Sequence, residues 1–301
     1  MRRLVAVSFV VAGLVSVGPQ PAMADHDAVS QYCSADSWFT NSPFAEYSAI
    51  DGVPSGKGYY LLDSNGAVHA EGHAKYFGSP AQIWIDDPSV GRAQVVDLAS
   101  VLTGRGYWVL DAAGGIFSFG DAKFHGSVPW LRNQGVPIGE ADPVELAPAG
   151  NGYYILDRQG GVFTFGGVPF LGSIPWLRDQ GIEIGPADPV AIVPTGGRGY
   201  WILDAAGGVF TFGDATFYGS LPSRGVPANG VAMQAMPDGD GYWILDSAGG
   251  VHAFGSARFY GTDPEALFHP HGPATDMDAC PNGDGYRLLY SPSGSVRVFS
   301  K

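Results

Sequence analysis

The feature that most constrains this chain is an internal repeat. Gly-Tyr pairs begin at Gly58, Gly106, Gly152, Gly199, Gly241 and Gly285, with steps of 48, 46, 47, 42 and 44 residues. The copies read GYYLLDSNGAVHAEG, GYWVLDAAGGIFSFG, GYYILDRQGGVFTFG, GYWILDAAGGVFTFG and GYWILDSAGGVHAFG, then a degenerate GYRLLYSPSGSVRVF. Each carries two apolar runs of strand length separated by a Gly-containing turn, which is a hairpin signal. Six such units fill almost the whole chain, so a separate catalytic domain is not expected.

A further apolar run precedes each hairpin, as at residues 95–99 and 190–193, and a short aromatic segment follows it. The five segments read AKYFGS, AKFHGS, VPFLGS, ATFYGS and ARFYGT. Four strands, A to D, in about 45 residues match the period and content of a propeller blade. Runs such as Tyr107-Trp108-Val109-Leu110 are apolar on both faces, as in a sheet sandwiched between neighbours. The 45 glycines, 23 prolines and 38 aromatics suit many short strands joined by tight turns. The expectation is an all-β, six-bladed β-propeller of four-stranded blades.

A stack of blades must close into a ring or cap its ends. The last copy offers strands A, B and C at about residues 275–279, 286–290 and 295–299, then runs out before a strand D. Asp36-Ser37-Trp38-Phe39-Thr40-Asn41-Ser42 aligns with Asp121-Ala122-Lys123-Phe124-His125-Gly126-Ser127, so residues 36–42 are expected to complete the last blade. The two cysteines agree: Cys33 precedes that orphan strand, and Cys280 ends strand A of the last copy, on the same rim. An even count in an exported chain favours a disulfide. Such a bond closes a loop for which chain entropy gives at most roughly 5 kcal/mol.

Met1-Arg2-Arg3, the apolar run 4–17 and Ala22-Met23-Ala24 have the layout of a cleavable secretory leader. The apolar run is too short to span a bilayer, and no later segment is a transmembrane candidate. The twin arginines lack the context of a Tat signal. Residues 1–24 are therefore expected to be a signal peptide, and residues 25–301 one propeller domain outside the cytoplasm, with wall association open. The formal charge is −13, and −15 once Arg2 and Arg3 leave with the leader. This excludes the basic footprint of nucleic-acid binding and a polybasic membrane patch.

The GYW-[VI]-L-D-x-x-GG-[VI]-F-x-FG-D-A-x-F-x-GS unit resembles repeats of secreted bacterial, actinobacterial-type β-propeller proteins over about residues 36–301. The resemblance implies the architecture; that repeat group carries no single assigned activity. A looser likeness to quinoprotein blades lacks the docking-tryptophan pattern, so no cofactor is expected.

Most recurring polar residues are explained by turns. Asp63, Asp111, Asp157, Asp204 and Asp246 end strand B, where Asp opens a tight turn and the next glycines accept left-handed backbone. Tyr290 interrupts that carboxylate series in the last copy. Recurring Tyr59, Tyr107, Tyr153, Tyr200, Tyr242 and Tyr286 are read as core. His269-Pro270-His271, near Asp263 and Glu265, falls short of a converging metal set, so no metal site is expected. No nucleophile elbow or catalytic order is present.

The D-to-A connections stand out instead. GSVPWLRNQGVPIGEADPV (126–144) and GSIPWLRDQGIEIGPADPV (172–190) are near duplicates and longer than a propeller needs. Long loops on a rigid scaffold carry function, and Trp and Arg are favoured binding anchors. Trp84, Trp130, Arg132, Trp176 and Arg178 are the candidate ligand-binding residues, against a plainer reading in which the tryptophans plug gaps between blades. The expected function is a secreted, monomeric, non-enzymatic binding or scaffold propeller contacting a protein or a cell-envelope glycan. The alternatives are a propeller hydrolase or lyase acting on carbohydrate or a lactone, and an aromatic wall-binding solenoid. The solenoid repeats at about half this period. If residues 36–42 close the ring, deleting residues 25–43 lowers the melting temperature of the entire domain; an unchanged melting temperature contradicts the closure.

Overall fold

The computed structural model describes residue 33 and residues 46–138, 141–227, 229–262 and 272–301. Among them lie eighteen strands in six antiparallel sheets of three. The first sheet holds β1 (Tyr47–Gly52), β2 (Gly58–Asp63) and β3 (Val68–Gly72), and the second β4 (Val95–Ser100), β5 (Gly106–Asp111) and β6 (Ile116–Gly120). The third holds β7 (Pro143–Ala149), β8 (Gly152–Asp157) and β9 (Val162–Phe165), and the fourth β10 (Pro189–Pro194), β11 (Gly199–Asp204) and β12 (Val209–Gly213). The fifth holds β13 (Gly230–Ala235), β14 (Gly241–Asp246) and β15 (Val251–Gly255), and the sixth β16 (Ala274–Ala279), β17 (Gly285–Tyr290) and β18 (Ser295–Ser300). Strands A, B and C of every copy thus fall where the sequence placed them.

The first strand of each sheet adjoins that of the next, and β1 adjoins β16 as well as β4. The sheets follow one another around an axis, and no ladder joins one sheet to another. Packing does the joining. All six middle strands are buried along their whole length. Alternate side chains of a strand point to opposite faces, so each middle strand serves two interfaces. Tyr107 and Val109 pack with Tyr60 and Leu62 of the first sheet, while Trp108 and Leu110 pack with Tyr153 and Ile155 of the third. Each large side chain buried this way contributes about 1.5–3 kcal/mol.

The expected fourth strand is not formed: the segments 73–78, 122–126, 168–172, 214–219 and 256–261 lie outside any strand. Positive-φ glycines such as Gly72 (62°), Gly120 (68°) and Gly213 (66°) end the third strand and turn the chain away from its ladder. Side chains then capture the backbone groups that a fourth ladder would use. The Tyr107 hydroxyl accepts from the Phe77 N–H at 3.1 Å and donates to the Gly78 carbonyl. Tyr153, Tyr200, Tyr242 and Tyr286 repeat both bonds with His125/Gly126, Leu171/Gly172, Tyr218/Gly219 and Tyr260/Gly261. In each case the tyrosine belongs to the sheet after the one whose tail it holds. The next aromatic of each middle strand holds its own sheet's tail: Tyr60, Trp108, Tyr154, Trp201 and Trp243 donate to the carbonyls of Lys75, Lys123, Pro169, Thr216 and Arg258.

The strand-B aspartates are turn residues, as expected. Asp111 accepts from the N–H groups of Ala113 and Gly115, and Asp157, Asp204 and Asp246 accept from Gly161, Gly208 and Gly250. Gly114, at φ 80°, is required twice over, because a Cβ there would meet the Val128 side chain at 2.5 Å.

Cys33 and Cys280 are bonded, with Cα atoms 5.7 Å apart. The degenerate last copy also has its physical reason. Arg287 replaces the Trp or Tyr that elsewhere holds a tail, is fully buried, and bonds Asp278 at 2.5 Å and the Gly56 carbonyl of the first sheet at 2.6 Å. Its charge is paired and hydrogen-bonded, as a buried ion requires. Residues 36–42, assigned to a closing strand, lie outside the described residues.

Candidate functional site

The D-to-A connections, expected to be loops, carry short helices. They are α1 (Pro80–Asp86), α2 (Val128–Asn133) and α3 (Ile174–Asp179). The signal was present: Ser79, Ser127 and Ser173 sit at the N-cap with Pro in the first turn. Their hydroxyls accept from the N–H groups of Gln82, Trp130 and Trp176 at 3.2–3.3 Å. In the fourth connection only a 3-10 turn, Pro222–Arg224, remains, and the Arg224 guanidinium stacks 3.9 Å over Phe254.

The structure separates the candidate anchors. Trp130 and Trp176 are 44% and 46% exposed, at equivalent places on α2 and α3. Arg132 and Arg178 are exposed beside them, and Arg178 reaches the Gly185 carbonyl at 3.5 Å. Exposed Val136 and Ile182 follow each helix, bonded back to the Leu131 and Leu177 carbonyls. Trp84 differs. It is 6% exposed, lies against Gly66 and meets Phe117 edge-on, so it plugs a gap between sheets. In the first connection the exposed apolar residues are Ile85 and Val90 instead. His269, His271, Asp263 and Glu265 lie outside the described residues.

The same face carries the mouth of the axis. A cavity of about 460 Å³ opens among the beginnings of the first strands, lined by Ser48, Val96, Val144 and Val190, with the Arg158–Asp142 ion pair (2.7 Å) at its rim. Every pairing of first and middle strands shifts register at this level, for example between Val95 and Asp97 or Pro143 and Glu145. Such bulges re-aim side chains, and the carboxylates just past them cross to neighbouring sheets.

That carboxylate belt was not anticipated. Asp97 accepts from the Leu98 N–H and from Leu146 of the third sheet, both at 2.7 Å. Glu145 accepts from Ile192 of the fourth sheet, and Asp276 from Ile50 of the first at 2.9 Å. Asp51 accepts from Ser100 of the second sheet at 2.7 Å. Gln234 donates to the Met277 carbonyl at 3.1 Å. Apolar runs hid these residues, because a lone carboxylate in a first strand has no local pattern.

Burial raises the pKa of each carboxylate in the belt. Asp51 is pushed up to about 7, by burial and then by the nearby Asp278 charge, and Asp97 to about 6 by burial. Glu145 and Asp276 lie well above the ordinary range, from burial reinforced by the Asp97 charge. Asp278 is raised by burial, with Arg287 opposing the rise. Each of Asp51, Asp97, Glu145 and Asp276 accepts at least one N–H across a seam, and no group of three or more His, Cys, Asp or Glu among the described residues is arranged to hold a metal ion. The arrangement staples sheets together.

No family model and no curated protein matches the sequence. Solved structures do resemble the fold. YCF48 from Cyanidioschyzon merolae superposes with a TM-score of 0.51 at 11% identity, over 87% of this chain and 98% of that one. YCF48 bound to D1 peptide gives 0.50 at 12% identity, over 85% and 79%. The WD40 β-propeller domain of Doa1 gives 0.53 at 8% identity, over 85% and 79%. At such identities the likeness shows the fold alone, and that fold is a β-propeller.

The belt makes stability pH-dependent. Unfolded, these carboxyls lose their protons near pH 4; folded, Asp51 and Asp97 keep theirs to about pH 7 and 6. The folded state binds more protons across that window, so stability falls as pH rises through it. The melting temperature is predicted to be higher at pH 5 than at pH 8; a flat or rising profile contradicts this.

Proposed function

We propose that this chain is a protein-binding propeller scaffold whose contact surface is the face bearing α2, α3 and the mouth of the axis. One observation carries the reading: two adjacent sheets present the same half-exposed tryptophan beside an exposed arginine, each on a serine-capped helix. Serine caps and packed first turns hold the rings in place before a partner arrives, which limits the ordering cost of binding. Aromatic and arginine anchors of this kind dominate interface energies. Propeller structures that resemble the chain include one described as bound to a peptide, which fits a protein or peptide ligand.

The scaffold acts outside the cytoplasm, in this reading. The leader-like residues 1–24 and the Cys33–Cys280 bond support that location. Residues 36–42 complete the last blade. Tyr59 supports this: it is fully buried at the position from which Tyr107 and its counterparts hold the preceding sheet's tail, and Cys33 is anchored to the sixth sheet.

The test uses immobilised full-length mature protein and cell-envelope extract. Proteins it retains are identified and titrated singly against wild type and the Trp130→Ala/Trp176→Ala pair. At least tenfold weaker binding by the pair, at unchanged melting temperature, is expected, since anchor truncation costs about 2 kcal/mol or more. Undiminished affinity places the contact elsewhere.

A further inference from the structure

The connections that carry α2 and α3 resemble each other more closely than the sheets they leave. Residues 126–144 and 172–190 are identical at 14 of 19 positions. Residues 106–125 and 152–171, which hold the middle strand, third strand and tail of the same two units, agree at only 10 of 20. Residues 106–125 agree better, at 15 of 20, with residues 199–218 of the fourth sheet, whose own connection carries a 3-10 turn and no such helix. Connections are ordinarily the parts of a fold freest to vary. Copying of whole units would leave the buried strands most alike, so something other than the sheets holds these two connections to one pattern.

Most of the shared residues have structural work. Ser127 and Ser173 cap the helices, with Pro129 and Pro175 in the first turn. Leu131, Ile138, Leu177 and Ile184 pack against the core, and Gly135 and Gly181 hold φ of 80° and 77°. Arg178 reaches the Gly185 carbonyl, and Arg132 is likewise engaged. Trp130 with Gln134, and Trp176 with Gln180, are different. Each indole lies against the glycine before its cap, where a Cβ on Gly126 or Gly172 would meet it at 3.3 or 3.2 Å, and stays nearly half exposed. Neither the indole N–H nor the exposed glutamine amide makes a hydrogen bond among the described residues. Residues four apart share one side of a helical turn, and exposed Val136 or Ile182 follows two residues later. The exposed positions that differ, Asn133 against Asp179 and Pro137 against Glu183, change the charge. What is kept is therefore apolar surface and an amide, not an ionic pattern.

We propose that the two connections are two equal copies of one peptide-binding site, and that the partner of this face carries the same short, uncharged, apolar segment twice. This rests on the protein-binding role proposed above and gives it a valence. At each site the indole and Val136 or Ile182 take one apolar side chain. The glutamine amide, donor and acceptor at once, pairs with the main chain of the segment. A charged segment would meet Asp179 and Glu183 at one site and neither at the other, so a neutral one is what both can bind alike. A single indole holds such a segment weakly. Two segments on one chain make the second contact intramolecular and raise the affinity with no new kind of contact.

The probe is a short linear peptide selected from a displayed random library on the immobilised full mature chain and counterselected on Trp130→Ala/Trp176→Ala. Calorimetric titration should find two equal sites per chain, insensitive to salt. Trp130→Ala or Trp176→Ala alone should leave one site with the wild-type Kd. Gln134→Ala/Gln180→Ala should keep two sites, each weaker by roughly fivefold, the net contribution of one hydrogen bond, at unchanged melting temperature. Two copies of the peptide on a flexible linker should bind wild type about tenfold or more tightly than one copy, a gain that either single tryptophan variant abolishes. One site per chain that both single variants destroy, two sites of unequal affinity, or no gain from the linked peptide at any linker length overturns the twin sites and leaves the protein-binding role standing. Recovery of no peptide overturns both. A dimer in sedimentation that Trp130→Ala/Trp176→Ala dissolves also overturns the proposal, because a second copy of the chain then occupies the surface.

Discussion

Five tyrosine hydroxyls, each joining two sheets, hold this molecule together. In the second to sixth sheets the tyrosine second in the middle strand reaches back to the preceding sheet, accepting one N–H and donating to the carbonyl of the following glycine. Those groups belong to a segment with no strand partner, and leaving them buried and unpaired would cost about 1–3 kcal/mol each. The phenol meets both demands from a fully buried ring that also packs against the strand-C phenylalanine of its own sheet, as Tyr200 does with Phe212 at 5.3 Å. Burial correspondingly raises the hydroxyl pKa, to about 12 for Tyr153, Tyr200, Tyr242 and Tyr286. The same contact that satisfies one sheet's tail therefore fixes its neighbour's position.

Around the axis a second set of bonds does related work, unevenly. Carboxylates cross from the first sheet to the second, the second to the third, the third to the fourth and the sixth to the first. From the fourth sheet, Ala191 and Val193 stand at the equivalent positions and have no side-chain oxygen to offer the fifth. A cavity of about 400 Å³ opens beside that seam, lined by Thr195, Asp214 and Asp238 among others. The seam between sixth and first sheets is tied through Asp276 and Arg287, and the disulfide anchors Cys33 beside the sixth sheet.

Much of this was legible from the repeat. The positions of strands A to C followed from apolar runs and turn glycines, and the cysteine pairing followed from rim geometry. The fourth strand failed because its aromatic pattern has strand propensity, while the decisive competitors, Tyr107 and Trp108, act from elsewhere in the chain. The helices carry a cap signature inside a loop, Ser-Pro in the first and Ser-x-Pro in the other two. Trp84 stands five residues after its cap serine and Trp130 three after its own, so the rings leave their short helices in different directions, and one is buried while the other is half-exposed. The axial carboxylates were not legible, because each is a lone polar residue inside an apolar run and its partner lies on another sheet.

The central claim is that tyrosine hydroxyls, not a fourth ladder, fix the sheet tails. Native-state amide hydrogen exchange tests it most directly. The amides of Phe77, His125, Leu171, Tyr218 and Tyr260, which donate to those hydroxyls, should exchange as slowly as the middle strands, and that of Leu171 should become fast in Tyr200→Phe. Slow exchange at Leu171 in that variant, or wild-type exchange as fast as at exposed Phe124 and Phe217, would contradict the account.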